Sequence, residues 1–145
     1  MFKHILLAID DDPGSRRAIN LAVALAQKIG ARVTGFHAMT EFAHPGIVEE
    51  LLESPSAELQ ALARMHADRL FAPLRRAAAR AGVKCATLAE RGDRPGEAIV
   101  AAAAQAGCDL IVMASHGRRG LAGYVLGSQT QRVLDHTRMS VLVVR

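Results

Sequence analysis

The chain has 145 residues, enough for one domain that buries its own core without disulfides or a structural metal. Half of the residues are hydrophobic but only 3% are aromatic, with no Trp, so the core must be built from Ala, Val, Leu and Ile. The formal net charge of +4 favours anionic ligands, yet Arg16-Arg17, Arg75-Arg76-Arg80 and Arg118-Arg119 stand apart and few aromatics are present to stack bases; these arginines read as solvated faces rather than a nucleic-acid stripe.

The chain opens with Met1-Phe2-Lys3-His4, and Ile5 to Ile9 is a continuous apolar run of strand length. It meets charge at once in Asp10, too short for a signal core or a membrane span, so a cytoplasmic protein is expected. Asp10-Asp11-Asp12-Pro13-Gly14 supplies turn and helix N-cap chemistry. Ala18, Leu21, Ala22, Leu25, Ala26 and Ile29 then recur at helical spacing, with Gly30 where a C′ residue belongs. A second strand spans Arg32 to Met39. The connection Thr40 to Pro55 follows, long enough to suggest a functional flap, and its His44-Pro45-Gly46 reads as turn chemistry rather than catalysis.

Ser54-Pro55 is an N-cap with proline at N1, starting a helix whose apolar side uses Leu59, Leu62, Met65, Leu70 and Leu74 and which should kink at Pro73. Gly82 ends that helix, and Val83 to Ala89 forms the third strand. Gly92-Asp93-Arg94-Pro95 caps an Ala-rich helix to Ala106, stopped by Gly107. Asp109-Leu110-Ile111-Val112-Met113 is the most convincing buried strand; a helix from Ser128 to His136 and the strand Val141-Leu142-Val143-Val144 complete the order βαβαβαβαβ. Strands that are apolar throughout, rather than alternating, imply an open parallel sheet with helices on both faces. Cys85 and Cys108 have no C-x-x-C partner and each adjoins a strand, which predicts buried free thiols.

Function points to the turn after the fourth strand. Ala114-Ser115-His116-Gly117, nine residues, then Gly127-Ser128 opening a helix is how a backbone offers unpaired N–H groups to a phosphate chain. A single Gly-x-x-Gly is weak by itself; ordinary loop glycines and an N-cap serine give the same pattern. Its context strengthens it: if the strand order is 3-2-1-4-5, which periodicity alone does not give, the crevice at the order reversal lies between strands one and four and brings Asp10 opposite this loop. Asp10 could then meet a ribose or a nucleotide-bound Mg²⁺. His116 serves a phosphate or a polar turn equally well, and the six histidines show no zinc spacing.

These residues resemble the universal stress protein family across essentially the whole chain: the strand ending in Asp10, Ser15-Arg16-Arg17-Ala18 at the helix start, Gly92-Asp93, Asp109 to Gly117, Gly127-Ser128 and the terminal Val141-Leu142-Val143-Val144. ATP-binding members carry Gly, two residues, Gly, nine residues, then Gly followed by Ser or Thr. Gly117, Gly127 and Ser128 match, while Ala114 replaces the first glycine and Ser140 stands where proline is common. The alanine costs little if that position keeps a negative φ, and clashes if φ is positive.

The resemblance implies a Rossmann-like sheet of order 3-2-1-4-5 over residues 1–145, binding ATP with Mg²⁺. Ala8, Ile9 and Asp10 would line the adenosine pocket, Ala38 would contact adenine, and Met113, Ala114, His116, Gly117, Gly127, Ser128 and Gln129 would hold ribose and phosphates. Neither a Walker lysine nor a base to orient water is evident, so at most slow hydrolysis is expected. The apolar strand Val141 to Val144, if at a sheet edge, predicts a homodimer.

Three other readings stand beside it. The same fold can serve as an interaction module that binds no nucleotide. A phosphoacceptor receiver would need an Asp after the third strand, for which Asp93 is late, and a Lys after the fifth. A nucleotidyl-transferring enzyme would need His-rich or Ser-Gly-Gly signatures, which the chain lacks.

Overall fold

The structure, a computed structural model, describes residues 1–39, 57–115 and 126–145. The expected flap Thr40 to Pro55, the Ser54-Pro55 cap, His116 and Gly117 lie outside the described residues. The elements run β1 (His4–Ala8), α1 (Gly14–Ile29), β2 (Arg32–Met39), α2 (Ala57–Ala81), β3 (Cys85–Arg91), α3 (Pro95–Gln105), β4 (Leu110–Ala114), α4 (Ser128–His136) and β5 (Ser140–Val144). The strands form one parallel sheet in the order β3-β2-β1-β4-β5.

Alternation along the central strands divides the core into two layers. Ile5 and Leu7 face α1 and α2, where they join Ala18, Ala22, Phe71 and Leu74, whereas Leu6 faces the opposite layer of Ile99, Ala102, Ala103 and Val133. Both strand faces are buried, which is why the sequence reads apolar without a break. Ala18, Ala22, Ala26, Ala67, Ala78, Ala102 and Ala103 are among the buried helix residues, and their small side chains let the helices approach the sheet closely. On β2, Gly35 serves the same end: a side-chain carbon there would collide with Leu74 Cδ2.

Gly30 has φ 69°, and Ala31 N–H returns to the Ala26 carbonyl at 2.9 Å, closing α1 in the geometry that favours glycine. Gly82 and Gly107 close α2 and α3 in the same way.

Several expectations need correction. The third strand begins at Cys85, because Val33 N–H already pairs with the Lys84 carbonyl and the ladder then extends to Met39 opposite Arg91. On α2, Leu74 is buried and Leu70 packs against the core as expected, but Leu59, Leu62 and Met65 are exposed, and Ala67, Phe71 and Ala78 complete the buried side. Cys108 is buried as expected, but Cys85 is exposed on the edge strand β3.

Candidate functional site

Parallel strands place all their carboxyl ends on one side, and β1 sends its chain toward α1 while β4 sends its own toward the opposite layer. A crevice opens between them. There the structure holds a cavity of about 560 Å³, inside the range of roughly 300–1,000 Å³ usual for small-molecule sites. Its floor is formed by Ala8, Phe36 and Met113, and the start of α3 adds Pro95 and Ile99.

The β1–α1 turn forms its acidic rim. Asp10 Oδ1 accepts hydrogen bonds from Ser15 Oγ at 2.7 Å and from Asp12 N–H at 3.0 Å, while Asp10 N–H donates to Ser15 Oγ at 3.2 Å. Asp12 Oδ1 accepts from Gly14 N–H at 2.7 Å, steadying the first turn of α1 from one residue before the N-cap position, which is Pro13. Asp11 Oδ2 accepts from His66 Nε2 on α2 at 2.9 Å. His37 donates from Nδ1 to the Ile9 carbonyl at 2.9 Å, since a carbonyl can only accept. Its ring meets that of His66 edge-on at 5.9 Å.

Opposite this rim lies the start of α4. Gly127 is the N-cap, no side chain among the described residues caps the helix, and the Gly127 carbonyl takes the Gln131 N–H at 3.0 Å. The N–H groups ahead of Gln131 have no intrahelical acceptor and carry the positive end of the helix dipole. Among the described residues no cluster of three or more His, Cys, Asp or Glu side chains forms a metal site.

The profile of the universal stress protein family matches residues 1–145. The chain belongs to the universal stress protein family. A Thermus aquaticus relative, described as the universal stress protein in the QAH/OAS sulfhydrylase 3′ region, is 37% identical over the full length of both chains. The solved structure of MJ0577, a universal stress protein of Methanocaldococcus jannaschii, is 28% identical and superposes with a TM-score of 0.79 over 99% of this chain and 96% of that one. A universal stress protein solved in complex with cAMP is 20% identical, with a TM-score of 0.75 over 99% and 97% of the two chains, a likeness of fold.

Of the residues that the universal stress protein pattern selects, the cavity gathers Ala8, Ile9, Asp10, Ala38, Met113, Ala114 and Gln129. Gly127 and Ser128 stand just behind Gln129 at the head of α4 and are not part of its wall. Sequence reasoning missed Asp11, Asp12, Pro13, Ser15, Phe36, His37, Pro95 and Ile99 as wall residues. The turn residues adjoin Asp10 in the chain and could have been found from it. Phe36 and Ile99 carry no sequence signal beyond that of ordinary core residues.

Proposed function

We propose that residues 1–145 act as one nucleotide-binding domain, a stress-response regulator that takes ATP with Mg²⁺ in the crevice between β1 and β4. The observation that carries this reading is the pairing, across one cavity, of a hydrogen-bonded acidic turn with an uncapped helix N-terminus. The apolar floor suits a base, and the head of α4 suits phosphate oxygens. Asp10, held by Ser15, would face the ribose or the nucleotide-bound Mg²⁺, a metal that would arrive with the phosphates. Ala38 would meet the adenine edge through its backbone, and Gly117, His116, Gly127 and Ser128 would complete the phosphate loop.

Any hydrolysis is slow in this reading, because the sequence holds no Walker lysine motif. The chain pairs as a homodimer through β5, an edge strand whose Val141, Leu142 and Val143 are only half-buried, and it works in the cytoplasm. No helix among the described residues is long and apolar enough to cross a membrane.

Equilibrium dialysis of radiolabelled ATP, with and without Mg²⁺, tests the reading. Saturable binding that is weakened by Asp10→Ala supports it. No binding at millimolar ATP overturns it in favour of an interaction module, for which the exposed Leu59, Leu62 and Met65 of α2 would be the first surface to mutate. Sedimentation as a monomer at micromolar concentration would remove the dimer.

A further inference from the structure

We propose that the end of the sheet opposite the cavity is a docking surface for an acidic protein segment. In a parallel sheet every strand starts on the same side, and the helices that cross back between strands end there too. Lys3 precedes β1, Arg32 opens β2 and Lys84 precedes β3, while Lys28 and Arg80 lie in the last turns of α1 and α2. Hydrogen bonds bring these positions together. Arg32 N–H donates to the Lys3 carbonyl at 3.0 Å and Val33 N–H to the Lys84 carbonyl at 2.9 Å; Gln27 Nε2, next to Lys28, donates to the carbonyl of Ala81, next to Arg80, at 3.1 Å.

All five side chains are exposed, and none has an ion-pair or hydrogen-bond partner among the described residues. The carboxylate beside them is already engaged by backbone: Asp109 Oδ1 accepts from Lys3 N–H at 3.1 Å and His4 N–H at 3.0 Å, and Oδ2 accepts from Lys3 N–H at 2.9 Å. Asp135 and Arg138, beyond β4, cancel in formal charge. Five cations and Asp109 leave +4 at this end, the formal net charge of the whole chain, so the rest of the protein is balanced and the excess is concentrated here.

Helix dipoles account for Lys28 and Arg80. They do not account for Lys3, Arg32 and Lys84, which stand on three neighbouring strands. Such strands are roughly 5 Å apart, and residues three or four apart on a helix have Cβ atoms about 5–6 Å apart, so a helical row of Asp or Glu matches the three cations in spacing. Nucleic acid fits less well. Its sequence-tolerant sites add aromatic side chains on which bases stack, and no Phe or Tyr among the described residues is exposed. This surface lies across the sheet from the cavity and does not depend on nucleotide binding.

The test is fluorescence anisotropy of a labelled Ala-rich helical peptide carrying Glu at i, i+4 spacing, in salt of about 0.15 M. Wild type should bind it saturably. Arg32→Glu with Lys84→Glu should lower affinity at least about tenfold, and the neutral pair Arg32→Gln with Lys84→Gln at least about threefold. Arg64→Glu with Arg69→Glu makes the same charge change at exposed positions of α2 that flank His66, near the cavity rim, and should alter affinity less than about twofold.

Ligand-free melting shows which variants fold, and the neutral pair carries the test if the reversed pair does not. No saturable binding of the peptide by wild type overturns the proposal. An equal loss in the Arg64 and Arg69 variant overturns it too, because net charge alone would then be acting. Single-stranded DNA of similar length that binds through Arg32 and Lys84 where the peptide does not bind overturns it in favour of nucleic acid.

Discussion

Gly14 and Ala114 stand so close that a side-chain carbon added to Gly14 would lie 3.3 Å from Ala114 Cβ. The Ala114 methyl therefore packs toward the start of α1, within the layer that holds Ile5 and Leu7. Ala114 is the last residue of β4, paired with Val144, and no described non-glycine residue has positive φ. The alanine at the first position of the glycine motif thus occupies an ordinary extended conformation, where a Cβ carries no backbone strain.

Ala114→Gly should consequently fail to improve nucleotide binding, and it should cost about 1–2 kcal/mol of stability through a buried methyl lost and a strand residue loosened. Urea unfolding beside ATP titration measures both. A large gain in ATP affinity would show that the methyl obstructs the site after all.

Asp10 is the anchor of the β1–α1 turn, through Ser15 Oγ and the Asp12 N–H. Asp10→Ala should lower stability by about 1–3 kcal/mol, since it leaves the 6%-exposed Ser15 hydroxyl without its carboxylate. ATP affinity should drop with it. Ser15→Ala removes one of the same bonds and should cost less, so chemical unfolding of the two variants ranks the contributions.

Acid should weaken the fold from the end of the sheet opposite the cavity. Burial and the nearby Arg32 hold His4 below its ordinary value of 6.5, against the opposing carbonyls of Ala106 and Gly107 and the charge of Asp109. Its Nε2 meets Thr34 Oγ1 at 2.8 Å. The unfolded chain takes up this proton at higher pH than the native one, so the His4 contribution is full above 6.5 and is lost as pH falls from there through the folded value. Slight desolvation pushes the Asp109 carboxyl up, but the N–H groups of Lys3, His4 and Asp109 itself outweigh it and hold the group below 3.8; its contribution is lost further down, as pH falls through its folded value. Thermal melts of wild type and His4→Gln between pH 7.5 and 5 should show a shallower decline for the variant; these limits bracket the ordinary histidine range of about 6.5.

The two thiols should react in sequence. Burial raises both thiols, Cys108 to about 11, but Cys85 is exposed to reagent while Cys108 is buried. A colorimetric disulfide reagent should label one thiol in the native protein and the second only on unfolding, and Cys85→Ser should abolish the native phase. Rapid labelling of Cys108 in the folded state would contradict its placement beside Ile99 and Ala103.

The amino-acid sequence by itself determined the order of elements, because uninterrupted apolar runs such as Ile5 to Ile9 and glycines such as Gly30 act locally on the backbone. It also singled out Asp10, since a strand's carboxyl end can be read from where its apolar run stops, while Met113 came from the resemblance to the family. It misjudged α2, where the large Leu59, Leu62 and Met65 drew attention, although the small Ala67 and Ala78 face the core and let the helix approach the sheet. Only the tertiary structure decided the rest of the cavity. Phe36, Pro95 and Ile99 reach it because β2 and α3 are brought beside β1 and β4, and the Gly96–Gln129 bond joins residues that are 33 positions apart. Such contacts depend on how sheet and helices pack, and local sequence carries no signal for a distance that packing alone sets.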